Sequence, residues 1–283
     1  MLANIPGILY TEDNNREGEI LMVIIDQEKC IGCGMCASEC IGHVISLESG
    51  QAEITRGCFQ CGHCVAVCPT EAVRFEGDKY DMADVEPVGA GFGIYGDTML
   101  HAIKTRRSIR HFKKECPSRE VLEKVLEAGR FSPTASNSQN VSYIVFTEKT
   151  AELEALMMEE LRSLEGNEEA FYKIFEPPMS LDRVNFRDDD FILKGAPAVI
   201  VTVSPHPVNA AIASCNMEMQ AAAMGLGALY VGYFTLMARR DQRLRDYLGL
   251  NEKDRVITCL ALGWPDVEYL RTVPRKKANV RWM

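Results

Sequence analysis

The chain has 283 residues, of which 47% are hydrophobic and 25% are charged, and its formal net charge is −9. This length allows about two domains of ordinary globular composition. The acidic balance repels phosphate backbones and no apolar run approaches the ~20 residues of a membrane helix, so we expect neither a nucleic acid nor a membrane partner.

The first segment, Met1 to Ile20, contains Pro6, Gly7 and a polar stretch at residues 11–19. It lacks the basic start and the apolar core of a signal peptide. The chain also has eleven cysteines, eight of them in a metal-binding type of spacing. Such cysteine use is typical of a reducing compartment, and we expect a cytoplasmic protein.

Eight cysteines repeat the spacing C-x2-C-x2-C-x3-C. The first copy contains Cys30, Cys33, Cys36 and Cys40, and the second contains Cys58, Cys61, Cys64 and Cys68, followed by Pro69. A cubane iron–sulfur cluster needs four thiolates, three of which can come from one tight loop. Zinc would need only four ligands in all, and disulfides would need an exported chain. The spacing favours two iron–sulfur clusters over these two alternatives.

This segment resembles the bacterial two-[4Fe-4S] ferredoxin domain, including the run from Cys68 to Ala72, although Ile41 stands where that family usually has proline. In the bacterial ferredoxin run, the fourth thiolate of each cluster comes from the other loop. One cluster is therefore assigned to Cys30, Cys33, Cys36 and Cys68, and the other to Cys58, Cys61, Cys64 and Cys40. We place this domain at residues 20–78, with strands at 21–25 and 72–75.

Residues 79–96 change in character, with an acidic stretch, Pro87 and several glycines. The run Gly91 to Gly96 matches G-x-G-x-x-G, which in dinucleotide-binding folds follows a strand and opens a helix. Pro87 and the acidic stretch argue against that strand. We interpret residues 79–96 as a linker with flexible glycines.

Helical and strand patterns alternate from residue 97 onward. Asp97 is a candidate cap of a helix with apolar positions at Met99, Leu100 and Ile103, and Ser118 is a candidate cap of the next helix. Further helices are predicted at 148–164 and 208–224, and strands at 141–146, 198–203 and 256–262. This order indicates an α/β or α+β layer with helices packed on a central sheet.

A second candidate site begins at the run from Thr105 to Phe112, where three arginines and a serine lie within a few residues. Forked guanidinium donors beside a hydroxyl suit a phosphate monoester, although a basic run at a helix end is often only a solvated cap. Three more segments could contribute: a polar loop at 132–139, a glycine-rich stretch at 224–232 and a cationic cluster at 275–277. Their simpler interpretations are a turn, a helix C-cap and a solvated tail.

In this order and spacing, the four segments resemble the FMN-dependent nitroreductase family, over about residues 97–283. The whole chain is similar to a ferredoxin–nitroreductase fusion. The resemblance implies an α+β fold: a small ferredoxin-like two-cluster domain followed by a nitroreductase-like α/β sandwich, in which helices pack on a central sheet.

The resemblance also implies site residues and partners. The FMN phosphate would be held by Arg106, Arg107, Ser108, Arg275 and Lys276, and Arg110 would lie near the pyrimidine edge. Because the family binds FMN at a dimer interface, a homodimer is implied, in which the opposite subunit supplies Pro133, Thr134, Ser136 and Asn137. Gly232 would offer backbone donors near the flavin N5, and no catalytic side chain is expected. Residues 165–193 stand where the family places substrate-covering elements, and Phe186 and Phe191 either cap the flavin or simply pack.

The expected function is an oxidoreductase that passes electrons between two [4Fe-4S] clusters and FMN. Its donor would be NAD(P)H or a reduced ferredoxin, and its substrate a small electrophile: a nitroaromatic, a quinone or an activated alkene. The alternatives are another flavin-dependent reductase, dehalogenating or flavin-consuming, and a non-enzymatic electron-transfer or redox-sensing module. We expect Cys116, Cys215 and Cys259 to be free thiols packed as small apolar residues.

Overall fold

The computed structural model describes residues 22–77, 79–89, 93–176 and 179–283. The predictions for residues 1–20, for Leu21 and for Gly91 lie outside the described residues. The chain divides into two compact units, the first ending at Gly93 and the second running from Ile94 to Met283. This division falls within the predicted linker, and each unit is considered by itself.

Among its described residues, the first unit contains two small antiparallel sheets and two short α-helices. Its elements are β1 (Met22–Ile25), α1 (Met35–Ser38), β2 (Ile45–Ser46), β3 (Glu53–Ile54), α2 (His63–Val67) and β4 (Val73–Glu76). β1 pairs with β4, and β2 pairs with β3. The strands predicted at the two ends of the cysteine repeat are thus confirmed, and they pair with each other.

The two helices of this unit begin in the same way. Gly34 precedes α1 and Gly62 precedes α2, and both have φ 77° and ψ −3°. This left-handed conformation is readily adopted only by a residue without a Cβ. The repeat in the sequence is therefore also a repeat in backbone geometry.

The apolar core of the first unit is small. Its buried members are Cys36, Ala52, Cys64 and Val73, two of which are cysteines of the repeat. A core of this size among the described residues contributes little stability by packing, and small domains often depend on disulfides, metals or other cross-links.

The second unit contains a four-stranded sheet and seven α-helices among its described residues. Its strands are β5 (Ser142–Phe146), β6 (Ala198–Val203), β7 (Gly227–Tyr230) and β8 (Val256–Gly263). Its helices are α3 (Gly96–Thr105), α4 (Arg119–Arg130), α5 (Thr150–Ser163), α6 (Glu168–Ile174), α7 (Pro207–Ala223), α8 (Gly232–Met237) and α9 (Gln242–Tyr247). The strand order is β5-β6-β8-β7, and neighbouring strands are antiparallel.

This sheet lies between two apolar cores. In β6, Val199 and Val201 belong to one core, whereas Ala198 and Ile200 belong to the other. The alternation arises because successive side chains of a strand point to opposite faces. Buried residues of α5, α6 and α8 complete the first core, and buried residues of α4 and α7 complete the second. The predicted fold, helices packed on a central sheet, is confirmed.

Several local predictions were wrong or incomplete. The residue before α3 is Tyr95, so Asp97 lies within the first turn and is not the cap. Ser118 does cap α4, because its hydroxyl accepts a hydrogen bond from Val121 N–H at 3.4 Å. The glycine-rich stretch at 224–232 contains a strand, β7, that was not predicted, and Gly225 follows the end of α7 with φ 82°, as in the C-cap interpretation.

The cysteines outside the repeat differ in burial. Cys259 in β8 is buried, as expected, but Cys116 and Cys215 are exposed, so that prediction was wrong for these two. No helix in the described parts of the chain is long and apolar enough to cross a membrane.

Candidate functional site

The cysteines of the first unit line two separate recesses. One recess is lined by Cys30, Cys33, Cys36 and Cys68, and the other by Cys40, Cys58, Cys61 and Cys64. Each contains roughly 330 Å³ of space outside the protein atoms. This grouping coincides with the two predicted ligand sets, whose role as ligands stays a prediction. Among the described residues, no three potential ligands lie close enough together to hold a single metal ion. The two recesses, each lined by four cysteines, are the candidate cluster sites.

The grouping follows from the way the two helices lie. α1 and α2 are in contact, and each carries one buried cysteine, Cys36 and Cys64 respectively. Cys40 follows α1 and lines the recess of the second loop, whereas Cys68 follows α2 and lines the recess of the first. Each half of the repeat therefore places its last cysteine with the three leading cysteines of the other half.

Backbone amides point at several of these sulfurs. The Sγ atoms of Cys30, Cys40, Cys58 and Cys68 accept hydrogen bonds from the N–H groups of Ala52, Val44, Gln60 and Ala72, at 3.4, 3.5, 3.2 and 3.2 Å. His63 Nδ1 also lies 3.1 Å from Cys61 Sγ. Hydrogen bonds to sulfur are one of the means by which a protein sets the potential of an iron–sulfur cluster.

Burial opposes thiolate formation in the centre of this unit. It raises the pKa of Cys64 to about 11, with the neighbouring Cys58 adding to the effect. At Cys68 burial also acts to raise the pKa, but hydrogen bonds from Thr70 and Ala72 outweigh it and the pKa is lowered. A bound metal centre would supply the positive charge that a buried thiolate such as Cys64 otherwise lacks. The donor set therefore fits a metal cluster.

The arginine-rich segment of the second unit lies beside β7. Ser108 forms a parallel bridge with Ala228, and Ile109 N–H donates to Ala228 O at 3.0 Å. Gly227 allows this close approach, because an added Cβ would lie 2.5 Å from Ile109 Cγ1. The buried Ile109 side chain thus fixes the backbone on which the predicted phosphate ligands stand.

The three arginines of this segment have different surroundings. Arg106 Nη1 lies 2.7 Å from Glu218 Oε1 of α7. The Arg107 guanidinium lies 5.8 Å from the ring centre of Tyr269, and its Nε is buried without a hydrogen-bond partner among the described residues. Arg110 is exposed. An orphaned buried donor is rare in native proteins and fits a group that the protein itself does not supply, such as an anion.

The predicted loop at residues 132–139 is fixed by a buried asparagine of α7. Asn209 Oδ1 accepts from Ala135 N–H at 3.1 Å, and Asn209 Nδ2 donates to Ser138 Oγ at 3.2 Å and to Asn140 Oδ1 at 3.1 Å. The side chain of Asn209 is only 2% exposed. The sequence analysis missed this residue, because a single asparagine in an apolar helix does not show which loop it contacts.

The backbone of the same loop is strained. Ser136, Asn137 and Gln139 have φ values of 53°, 51° and 44°. A left-handed conformation at a non-glycine residue costs on the order of 1 kcal/mol or more and is concentrated at functional sites. Pro133 and Ser136 are exposed, whereas Thr134 is half-buried and its Oγ1 accepts from Gln139 N–H at 3.0 Å.

Gly232 begins α8 and lies under the segment predicted to cover the substrate. An added Cβ at Gly232 would lie 2.7 Å from Met179 Cε. The ring of the next residue, Tyr233, packs against Phe175 at 5.2 Å and against Phe191 at 5.4 Å. Phe191 therefore packs in an aromatic cluster beside Gly232, in agreement with the second of the two interpretations, simple packing.

A buried carboxylate holds the end of this covering segment. Glu154 of α5 accepts hydrogen bonds from Ile192 N–H at 2.7 Å and from Leu193 N–H at 2.6 Å. Burial raises the pKa of Glu154 to about 7, although these two hydrogen bonds act to lower it. Sequence reasoning missed Glu154, because a glutamate in an amphipathic helix is usually a solvated residue.

The loop at residues 132–139 and the arginine segment both contact α7. Asn209, which fixes the loop, and Glu218, which contacts Arg106, are nine positions apart on α7, or roughly 13.5 Å at the rise of an α-helix. Arg275 and Lys276 lie exposed in the segment after β8. The loop is attached to α7 through Asn209 and also through Asn216, whose Nδ2 donates to Ser132 Oγ at 2.8 Å, two positions from Glu218.

Comparison with known proteins identifies both units. A model of the nitroreductase family matches residues 103–264, and a model of the 4Fe-4S dicluster domain matches residues 29–73. An Archaeoglobus fulgidus protein, provisionally named an NADH dehydrogenase/NAD(P)H nitroreductase, is 25% identical over 178 residues, which cover 60% of this chain and 86% of that protein. Ferredoxin-3 of Rhodobacter capsulatus is 32% identical over 92 residues, which cover 23% of this chain and 91% of the ferredoxin.

Among solved structures, a nitroreductase of Desulfitobacterium hafniense DCB-2 with bound FMN has the same fold as the second unit of this chain. The TM-score is 0.51 at 28% sequence identity, and the match covers 64% of this chain and 97% of that chain.

Proposed function

Since this chain belongs to the nitroreductase family and carries a 4Fe-4S dicluster ferredoxin domain ahead of it, we propose that it is an iron–sulfur flavoprotein that passes electrons between two [4Fe-4S] clusters and FMN. As a family member it is an FMN-dependent oxidoreductase. The acceptor is a small electrophile: a nitroaromatic, a quinone or an activated alkene. Bound FMN supplies the redox chemistry, because flavins exchange both single electrons and hydride equivalents.

One observation carries the proposal: a single polypeptide joins a nitroreductase-family unit to a unit whose eight repeat cysteines line two separate recesses. A quartet of thiolates in each recess supports two clusters per chain. We assign residues 20–78 to the two-cluster domain, 79–96 to the linker and 97–283 to the FMN domain. Tyr80, near the start of the proposed linker, stacks on Phe75 of β4 with 4.4 Å between the ring centres.

The FMN phosphate is assigned to the segment beside β7. The orphaned Nε of Arg107 supports this assignment, as does the backbone of Ser108, which β7 fixes. The solved relative from Desulfitobacterium hafniense is described with bound FMN, which favours the same cofactor here. Arg106, Arg107 and Ser108 would bind the phosphate, and the positive charge of Arg110 would stabilise the anionic reduced ring.

The remaining assigned residues bind and orient FMN from other parts of the structure. Arg275 and Lys276 would reach the phosphate from the C-terminal segment, and the backbone at Gly232 would donate near the flavin N5. No side chain of the chain acts as a nucleophile or a general base in this proposal. Met179 and the aromatic cluster around Tyr233 would exclude water from the face of the flavin.

We further propose a homodimer in which Pro133, Thr134, Ser136 and Asn137 complete the FMN site of the opposite subunit. α3 supports an interface between subunits: all ten residues of this helix are exposed, and so short a helix is unstable without tertiary packing. Sedimentation of the FMN-bound protein as a monomer would contradict this arrangement.

An anaerobic reductive titration followed by visible spectroscopy tests the function. We expect flavin and iron–sulfur absorption in the purified protein. Bleaching of the flavin by NADH or NADPH would identify a pyridine nucleotide as donor, whereas bleaching only by a low-potential reductant would favour a reduced ferredoxin. Anaerobically purified protein without flavin would refute the proposal, and product analysis with halogenated, nitro and quinone acceptors would identify the reaction.

A further inference from the structure

A buried ion pair joins α7 to the arginine segment, and the assignments above leave it without a role. Arg106 Nη1 lies 2.7 Å from Glu218 Oε1, and the two side chains are 21% and 8% exposed. Burial raises the pKa of Glu218, although Arg106 acts to lower it. A buried ion pair is a poor source of stability, because desolvation of both charges offsets their attraction. Its presence calls for another explanation.

The carboxylate of Glu218 is buried near the C-terminal end of α7, which ends at Ala223. Tyr230, at the end of β7, lies close enough for the charge of Glu218 to contribute to its raised pKa, after burial. The guanidinium of Arg106 is the positive group that compensates the carboxylate at this point.

We propose that Glu218 is a positioning residue for the cofactor: it holds the Arg106 guanidinium at the phosphate end of the site before FMN binds. This inference rests on the proposed function, because it requires Arg106 to contact the FMN phosphate. A guanidinium has five N–H donors. The ion pair engages Nη1, and the other nitrogens can donate to a phosphate at the same time.

The physical advantage is preorganisation. Arginine has one of the most flexible side chains, and ordering it upon ligand binding costs conformational entropy. Arg106 follows the last residue of the exposed helix α3, so its own element gives the side chain little support. With Glu218 in place, the guanidinium is oriented before the ligand arrives. Arg107 does not have this support, since it contacts the ring of Tyr269 instead of a carboxylate.

The test compares the affinities of the flavin-free holo-cluster protein for FMN and for riboflavin, which differ only in the phosphate. The ratio of the FMN affinity to the riboflavin affinity isolates the contribution of the phosphate. Riboflavin binding by itself reports whether the ring site is intact. We expect Glu218→Ala to lower this ratio by up to about tenfold, the cost of ordering one flexible side chain upon binding. Glu218→Asp keeps the charge but withdraws the carboxylate, and we expect a smaller decrease in the same direction.

A matched control is Glu123→Ala, which removes the carboxylate of an exposed ion pair with Arg119 on α4 and should leave the ratio unchanged. If Glu218→Ala does not fold, Glu218→Asp decides, because it keeps the buried negative charge while it moves the carboxylate away from Arg106. An unchanged or increased ratio in the Glu218 variants, with riboflavin affinity intact, overturns the positioning role.

Arg106→Ala separates this inference from the proposed function. If it lowers the ratio while the Glu218 variants do not, only the inference fails. If Arg106→Ala leaves the ratio unchanged, the phosphate site itself is misassigned and both fail. If the positioning role is correct, adding Glu218→Ala to Arg106→Ala causes no further decrease in the ratio.

Discussion

The side chain of Ile109 occupies the space that any side chain at Gly227 would need: a Cβ at position 227 would lie 2.5 Å from Ile109 Cγ1 and 2.7 Å from Ile109 Cβ. This contact brings the arginine segment against β7, where Ser108 pairs with Ala228. The positions of the predicted phosphate ligands thus depend on the absence of one methyl group in a strand.

We therefore expect Gly227→Ala to displace the arginine segment. Overpacking of a buried contact costs about 1–3 kcal/mol in the free energy of unfolding, and FMN affinity should fall as well. Urea unfolding and FMN titration measure the two effects. Gly96→Ala is the control, because a Cβ at Gly96 meets no atom within 4 Å; if both variants behave alike, the Ile109 contact is not the cause.

The two recesses of the first unit predict that the last cysteines of the repeat serve opposite clusters. Cys68→Ala should remove the cluster held with Cys30, and Cys40→Ala the one held with Cys58. In each case we expect the iron content to fall by about four atoms per chain. Iron analysis and electron paramagnetic resonance of the reduced protein check this.

The control for the cysteine variants is Cys116→Ala. Cys116 is exposed and its Sγ contacts only Pro197 O, at 3.5 Å, among the described residues, so the iron content should not change. If the spectrum of the cluster remaining in Cys68→Ala matched that of Cys58→Ala and not that of Cys30→Ala, the crossed assignment would be wrong.

We expect Glu154 to make a pH-dependent contribution to the free energy of unfolding. Its pKa rises from an ordinary value of 4.5 to about 7 in the folded protein, so the folded state binds the proton more tightly than the unfolded state. This contribution is fully present below pH ~4.5 and is lost as the pH rises to ~7, by about 3 kcal/mol at most. The neighbouring Asp190 acts to raise the pKa, and Lys194 acts to lower it.

The measurement is urea unfolding of the wild type and of Glu154→Gln between pH 5.5 and 8. Tryptophan fluorescence reports the second unit, because both tryptophans, Trp264 and Trp282, lie there. We expect the stability advantage of the wild type over the variant to shrink as the pH rises. A difference that stays constant across this range would show that Glu154 does not titrate there.

Asn209→Ala should release the loop that follows α4. The change leaves Ala135 N–H without its acceptor, and a lost buried hydrogen bond of this kind costs about 1–3 kcal/mol. Hydrogen–deuterium exchange should increase at residues 134–140. In the control Asn167→Ala, which removes the cap of α6, faster exchange should appear at α6 and not in this loop; unchanged exchange at 134–140 in Asn209→Ala would contradict the anchoring role.

The sequence predicted best those features that depend on residues close together in the chain. The β-branched run from Ala198 to Val203 forms β6 with its predicted bounds, because continuous apolar β-formers favour a strand buried on both faces. The grouping of the cysteines was predicted from the resemblance to the bacterial two-cluster ferredoxin domain, since the spacing alone does not show which loop supplies the fourth thiolate.

Features that depend on distant contacts were missed. β7 consists of Gly-Ala-Leu-Tyr, which has little strand propensity, and it forms a strand because it pairs with β8. Glu154, Asn209 and Glu218 have partners at least 38 residues away, so no local pattern marks them. Asp97 was predicted to cap α3 because aspartate is favoured at that position, but the helix already begins at Gly96 and Tyr95 precedes it.

The exchange of last cysteines between the two recesses makes the first unit indivisible. Neither the loop that begins at Cys30 nor the loop that begins at Cys58 encloses a full quartet with its own residues alone. If the chain were cut between β2 and β3, each fragment would retain three cysteines of one recess and a single cysteine of the other. Because each recess is lined by cysteines from both halves, we expect cluster loading and folding of this unit to succeed or fail together.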